Sequence, residues 1–545
     1  MIKMTSLAEA ERRNSHLRKY LQEFRAKTNS IPEFLVNLPE EVSLIEFPNI
    51  LYPVGDPVFI HVYKGEEEKK TSYFVIEPSL GEQEEKYDLV LDAILREAPF
   101  EKTSETKEEF EELIEKLLKR TTTFEKNTKG FFSRNKNNAI FLTKEEFEII
   151  RYKIKRDIMD HGIIEPLLKD PYLEDIHAVG TKEIHVVHKL FGMLRTNIRF
   201  RDRRSLNRYL RSLSERVGTP VSDTRPIVDS SLRDGSRLNI VFSDDVSREG
   251  ASFTIRKFSE KPPPITQLVK WGTFSPEQAA YLWLCLENNM SIFVSGETAS
   301  GKTTSLNAMT AFINYNAKIF TAEDTPEVII AQPVWQRLIT RETGPIETRV
   351  ELFDLVKTAL RSRPDYIIVG EVRGKEGSAA FQAMQTGHAV LCTFHASSIE
   401  KMIQRFTGEP INVPIRFMDN LNVALFQELL YMEGRIVRRC SSIQEILRYS
   451  KEKGGVLTRQ VFSWDPVTDR HYFTGRFNSY ILENKIAEKL GYKDVRDIYG
   501  ELDRRAKIIS RLVEAGILDY DSVNAIFKAY FEEGMAGIPL EFQRV

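Results

Sequence analysis

The stretch Ser291-Ile-Phe-Val-Ser295-Gly296-Glu297-Thr298-Ala299-Ser300-Gly301-Lys302-Thr303-Thr304 decides how this chain is read. An apolar run short enough for a strand leads into G-x-x-x-x-G-K-[ST], and Thr304 to Ile313 continues as a helix. Glycines let a loop wrap a phosphate without Cβ clashes, and successive amide N–H groups and the helix N-terminus hold the anion. Lys302 then neutralises β/γ charge and the Thr303 hydroxyl ligates Mg²⁺, so the pattern calls for ATP with Mg²⁺.

A phosphate cradle alone hydrolyses nothing, so acids should follow at strand ends. Lys318-Ile-Phe-Thr-Ala-Glu323-Asp324 places two carboxylates after a short strand, and Asp365-Tyr-Ile-Ile-Val-Gly-Glu371 places another. In a parallel sheet these strand C-termini share an edge with the loop, where Glu323, Asp324 and Glu371 can converge on Mg²⁺ and the attacking water. Spacing does not apportion those roles. After a further helix comes Thr386-Gly-His388-Ala-Val-Leu-Cys-Thr393-Phe-His395-Ala-Ser397, in which small residues, a threonine and two histidines bracket an apolar strand, as a sensor of the terminal phosphate requires.

Around this engine the chain runs to 545 residues, enough for about three domains, and 41% apolar residues suffice for a core. The 77 Lys+Arg against 79 Asp+Glu leave a net charge of −2, which excludes a global basic field for DNA or anionic lipid. Cys285, Cys392 and Cys440 form no CxxC pair, against a disulfide scaffold or four-cysteine zinc module and in keeping with a reducing cytosol. The start lacks a secretory signal and no apolar run is long enough to span a bilayer, so a cytoplasmic location is expected.

Residues 1–29 read as one basic helix that faces a partner, with Leu17, Tyr20, Leu21 and Phe24 on one side. Residues 30–140 read as a small domain with a hairpin at 58–76, charged helices and a polar linker at 121–139. Thr143-x-x-Glu146 opens a second N-terminal domain, 141–260, with short strands and a basic helix at 201–217. Pro262-Pro-Pro264, which can feed neither ladder, marks the boundary at 261–264. Beyond it strands alternate with helices as in an α/β parallel sheet, over 265–440, and 441–545 reads as a helical extension.

The four pieces in this order resemble the secretion ATPase superfamily that powers type II secretion, type IV pili and the archaeal archaellum. Gly296 to Thr303 is similar to its Walker A loop, Glu323-Asp324 to its Asp box, Arg361 to Glu371 to its atypical Walker B and Thr386 to Ala396 to its His box. The resemblance implies a RecA-like P-loop ATPase C-terminal domain with a mixed α+β N-terminal region, working as a homohexamer. It also implies Glu371 as the water-activating acid, His395 in the His box, and N-terminal-domain arginines, matched by Arg237 and Arg256, that reach the phosphates. A polytopic membrane platform protein and accessory proteins of a filament machine are the implied partners, met peripherally at the cytoplasmic face of the membrane.

Cys440 standing alone, with the wording of the loop and Tyr73-Phe-Val-Ile-Glu-Pro78, is most similar to archaellum motor ATPases and their archaeal pilus relatives. A RecA-like nucleic-acid motor is the competing reading, with the 201–217 helix as its groove. Balanced charge and the lack of an aromatic-and-basic channel stand against it, and no nucleic acid is expected.

Overall fold

The computed structural model describes residues 6–67, 70–100, 106–124, 139–243, 245–258, 261–341, 345–432 and 435–543. The chain divides into two compact units, residues 1–258 and 259–545, with the division just before the proline triplet.

The first unit is built on one ten-stranded sheet. The hairpin Asn49–Gly55 and Val58–Tyr63 continues antiparallel into Ser72–Ile76, and the second half runs from Gly192–Thr196 through Leu173–Val179 to Ile227–Ser231. The expected border at 140 therefore does not divide it. The halves join where Ser72 and Tyr73 pair with Arg195 and Thr196, and Asn197 extends the join by exchanging hydrogen bonds of 2.8 and 3.0 Å with the backbone of Val75. Behind the join, buried Asp170 accepts from the Tyr52 and Tyr73 hydroxyls at 2.8 and 2.6 Å. A buried carboxylate held by three donors, the Tyr172 amide being the third, locks the two halves as a hydrogen-bonded unit. The expected linker falls largely on 125–138, outside the described residues.

The basic N-terminal segment is two helices, Leu7–Arg13 and Ser15–Thr28, broken at Asn14, whose backbone N–H caps the first while the residue opens the second. Its apolar side is occupied by the chain itself: Leu17 and Leu21 pack with Leu51 and Phe59 of the hairpin and Ile76 of the strand that follows it. The Tyr20 hydroxyl lies 2.7 Å from His61 Nδ1, so the helix is tied by a polar contact as well. Any partner would meet the charged side only.

In the second unit six strands run parallel in the order Trp335–Ile339, Ile319–Glu323, Tyr366–Val372, Ala389–Phe394, Ile292–Gly296, Val423–Met432. Helices cover both faces, so the central strands are apolar throughout: Ile292 and Val294 belong to one core and Phe293 to the other. The strand bearing His395 at its end separates the phosphate-loop strand from the strand of Glu371, the RecA-like arrangement.

The sheet does not stop at 440. Arg435–Ser450, Gly455–Asp465 and Arg470–Phe473 extend it antiparallel, so the tail expected to be helical from 441 is strand to 473 and helical only from Ile481 onward. Helices Ile498–Glu514 and Tyr520–Glu533 then pack on helix Pro276–Glu287, with the buried Arg505 guanidinium 4.5 Å from the Trp283 ring and bonded to Glu501 at 2.9 Å. Among the described residues no helix is long and apolar enough to cross a membrane.

Candidate functional site

The loop after Ile292–Gly296 is shaped by its glycines. Gly296 has φ of 156°, and a Cβ there would lie 2.3 Å from the Gln427 carbonyl oxygen, so only hydrogen fits. Gly301 at φ 89° caps helix Lys302–Met309, and Ala299 at the apex takes φ 63° without being glycine. Ser300 is buried and its hydroxyl donates to the Glu297 carbonyl at 2.8 Å, while Glu297, Thr298 and Ala299 are exposed. Thr303 and Thr304 stand half-buried in the first helical turn.

Lys302 arches back over the loop. Its Nζ donates to the Glu297 carbonyl at 2.9 Å and lies 3.5 Å from His395 Nδ1. Burial lowers the Lys302 pKa, against the pull of Glu371. A narrow loop closed to a Cβ at Gly296, with an ammonium over it and a helix N-terminus beneath, fits the polyphosphate of ATP. Mg²⁺ bound there would neutralise phosphate charge, with the Thr303 hydroxyl as its protein ligand.

Two hydrogen-bond sets bring the neighbouring strand ends to the loop. Ser295 Oγ donates to the Ala396 carbonyl at 2.9 Å and accepts from the Ala396 amide at 3.1 Å, which fixes His395 beside Lys302. Thr393 Oγ1 donates to the Gly370 carbonyl at 2.6 Å. Register slips between Val369 and Val372 at Gly370-Glu371, and such a bulge re-aims a side chain next to a site.

Glu371 thus meets His395, with Oε1 and Nε2 2.6 Å apart, and its Oε2 pairs with Arg373. Glu371 Oε1 is buried against the His395 ring. Burial works to raise this carboxyl, but Arg373, then His395 and Lys302, outweigh burial and hold it below the ordinary carboxylate range. Burial and Lys302 lower the His395 pKa, against the pull of Glu371. An ionised carboxylate beside a phosphate loop, with an imidazole against it, is equipped to take a proton from water.

Glu323 and Asp324 are placed differently. Glu323 is 1% exposed and its Oε1 accepts from the amides of Glu327 and Val328 at 2.8 and 2.7 Å, so it holds its own loop rather than opening toward a cation. Its Oε2 lies 3.7 Å from Arg337 Nε. Burial raises its pKa from 4.5 to about 7, against those two amides. Asp324 is exposed, accepts from Thr340 Oγ1 at 3.1 Å, and is also raised by burial of its carboxyl.

The Glu323 shift has a checkable sign. Between 4.5 and about 7 the folded chain binds the proton that the unfolded chain has released, so stability falls as pH rises through that window. Glu323→Gln keeps an acceptor for both amides and removes the titration. Its stability relative to the parent should therefore climb by about 3 kcal/mol between acid and mildly alkaline pH, read by denaturant melts. A constant difference across the window would refute the assignment.

Lys302, Glu371 and His395 come together, whereas His388 lies at the far end of its strand, bonded to Thr386 at 3.1 Å. Arg237 and Arg256 belong to the first unit, where they sit opposite one another on adjacent strands. Arg237 makes a two-pronged contact to Asp229 at 3.2 and 2.7 Å. In the 201–217 segment, helix Arg203–Arg216 presents exposed Arg204, Arg208 and Arg211, while Arg216 donates to the Asp160 carbonyl at 2.6 Å.

Three residues were not anticipated: Arg373 on Glu371, Arg405 on the His395 carbonyl, and Arg438, whose Nε donates to the Ala299 carbonyl at 2.9 Å. Arg438 comes from the ribbon strand Arg435–Ser450 and holds the left-handed apex of the phosphate loop.

The sequence model of the type II/IV secretion system protein family matches residues 157–475. An uncharacterized protein of Methanocaldococcus jannaschii is 56% identical over 540 residues, covering 98% of each chain. The type IV secretion system protein VirB11 of Bartonella quintana is 27% identical over 308 residues, 50% of this chain and 82% of its own. Among solved structures, the Legionella pneumophila ATPase DotB is similar at 20% identity over 68% of this chain and 91% of its own, with a TM-score of 0.39. Since the family's pattern runs through more than half of the sequence and takes in the whole phosphate-loop sheet, the chain belongs to the type II/IV secretion ATPase family and is a P-loop ATPase.

Proposed function

We propose that this ATPase is the Mg²⁺-dependent homohexameric motor of an archaellum or type IV pilus-like filament, working through a polytopic membrane platform protein and peripheral at the cytoplasmic face of the membrane. The observation that carries the enzymatic part is the convergence of Lys302, His395 and Glu371 on one sheet edge beside the glycine cradle. The filament assignment is supported by membership of the family. The VirB11 relative, at 27% identity, favours a second reading, a secretion or pilus motor without rotation.

In this reading Glu371 draws a proton from the water that attacks the terminal phosphoryl group, Lys302 balances charge on the departing oxygens, and Arg237 and Arg256 supply further positive charge. Lys302→Ala should abolish ATP binding, measured with a fluorescent ATP analogue, and a deletion strain scored for motility and surface filaments should lose one or both. Undiminished ATP binding by the Lys302→Ala protein would overturn the assignment of the loop.

A further inference from the structure

Residues 324–334 link strands Ile319–Glu323 and Trp335–Ile339 and carry Asp324, yet they form no ladder of their own. Val328 and Ile330 of this link are buried, so its backbone groups must find partners elsewhere. Two side chains, Glu323 and Asn307, provide four hydrogen bonds to its backbone, and a third, Gln332 of the link itself, makes two outward. Glu323 supplies the two already described, and Gln332 Nε2 donates to the carbonyls of Thr310 and Ile313 at 2.9 and 3.0 Å. The remaining two come from Asn307, inside the helix that begins at Lys302: its Nδ2 donates to the Glu327 carbonyl at 3.0 Å and its Oδ1 accepts from the Ile329 amide at 3.1 Å.

Asn307 is 6% exposed. An asparagine inside a helix forgoes the helix propensity that Leu or Met would bring, and a buried amide is unfavourable unless both of its ends are paired. Here both ends are paired, and both to the same acidic loop. Lys302 and Asn307 ride on one short helix, Lys302–Met309, whose first turn cradles phosphate and whose side grips residues 327–329. A displacement of that helix on phosphate must therefore be passed to the loop that begins with Glu323 and Asp324.

We propose that Asn307 is a positioning residue that makes the acidic loop follow the nucleotide state of the phosphate-loop helix, and this rests on the reading of that loop as the ATP site. Asn307 bonds residues 327–329 from within the phosphate-loop helix itself, while Gln332 ties the far end of the same loop to the turn that follows that helix.

The test uses the full-length chain in a Glu371→Gln background, so that ATP stays bound, and compares it with Asn307→Ala and Asn307→Asp added. Amide hydrogen exchange of 325–332 should slow by at least about tenfold on ATP addition in the parent and not in Asn307→Ala. Asn307→Asp, which keeps the acceptor for Ile329, should retain part of the response. With Glu371 restored, Asn307→Ala should lower kcat by about 10²-fold with ATP affinity nearly unchanged, because a misplaced loop costs turnover rather than binding. ATP-dependent slowing that survives Asn307→Ala would overturn the inference, as would a loss of ATP affinity equal to the loss of kcat, which marks a merely structural amide. Failure of the parent itself to bind ATP would overturn the site reading, and the parent's own binding curve distinguishes that case.

Discussion

Glu371→Gln is expected to bind ATP as tightly as the parent and to hydrolyse it about 10²- to 10⁴-fold more slowly, the range that a positioned general base contributes. Glutamine matches the carboxylate in shape and keeps one oxygen, which can accept from Arg373 as the carboxylate does, so the strand-end bulge should not move. What is lost is the negative charge and with it the basicity that lets the carboxylate take a proton. Binding is preserved because the cradle of Gly296, Gly301 and Lys302 belongs to a different strand and helix.

The pH dependence has the same origin. Arg373, His395 and Lys302 hold the Glu371 carboxyl below the ordinary carboxylate range, so the acid limb of kcat due to this group lies below that range and neutral pH is a plateau for it. Arg373→Ala removes the largest of those favourable contacts and should move the limb to higher pH. Parental hydrolysis by Glu371→Gln, with ATP bound, would remove the base from the mechanism.

The parts legible in the sequence are those whose chemistry demands fixed spacing. A phosphate loop needs its glycines, lysine and threonine in consecutive register, and an acid at a strand end needs only a short apolar run before it, so Gly296 to Thr303 and Glu371 are visible without coordinates. Arg373, Arg405 and Arg438 are invisible because each acts through a tertiary contact that no local pattern encodes. Glu323 shows the converse: its position at a strand end is legible, but the turn of its carboxylate into loop amides depends on where 324–328 folds.

The extent of the sheet was obscured by its irregularities. Cys440, Ile443 and Ile446 are buried at spacings of three, a helical rhythm, because register slips at Phe426/Gln427 and Ile443/Gln444 break the alternation that marks a strand. In the first unit the join of the two half-sheets rests on a two-residue parallel pairing and on Asn197, too short a signal for any pattern.

Replacing both Arg237 and Arg256 by alanine is expected to lower kcat by about 10³-fold, the lower end of what an arginine delivered to a transferring phosphoryl group contributes. The two residues are register partners on antiparallel strands, both exposed, and like charges placed directly opposite are unfavourable in a sheet. Asp229 on one flank makes a two-pronged contact to Arg237, and Asp175 faces Arg256 on the other. An exposed ion pair of this kind contributes at most about 1 kcal/mol, so the fold has little need of the arrangement. A purely structural role and a catalytic one therefore part company. If the arginines serve only Asp229 and Asp175, the double variant loses stability and keeps its turnover. If they serve phosphate, the thermal midpoint holds or rises, because the like-charge pair is gone, while kcat falls and ATP affinity changes little. Each single variant should retain part of the rate, since the remaining guanidinium occupies the same row of the sheet, and the two single losses should not sum to the double one. Steady-state kinetics and melting curves on the three variants decide between these outcomes, and full turnover in the double variant would remove the first unit from phosphoryl transfer.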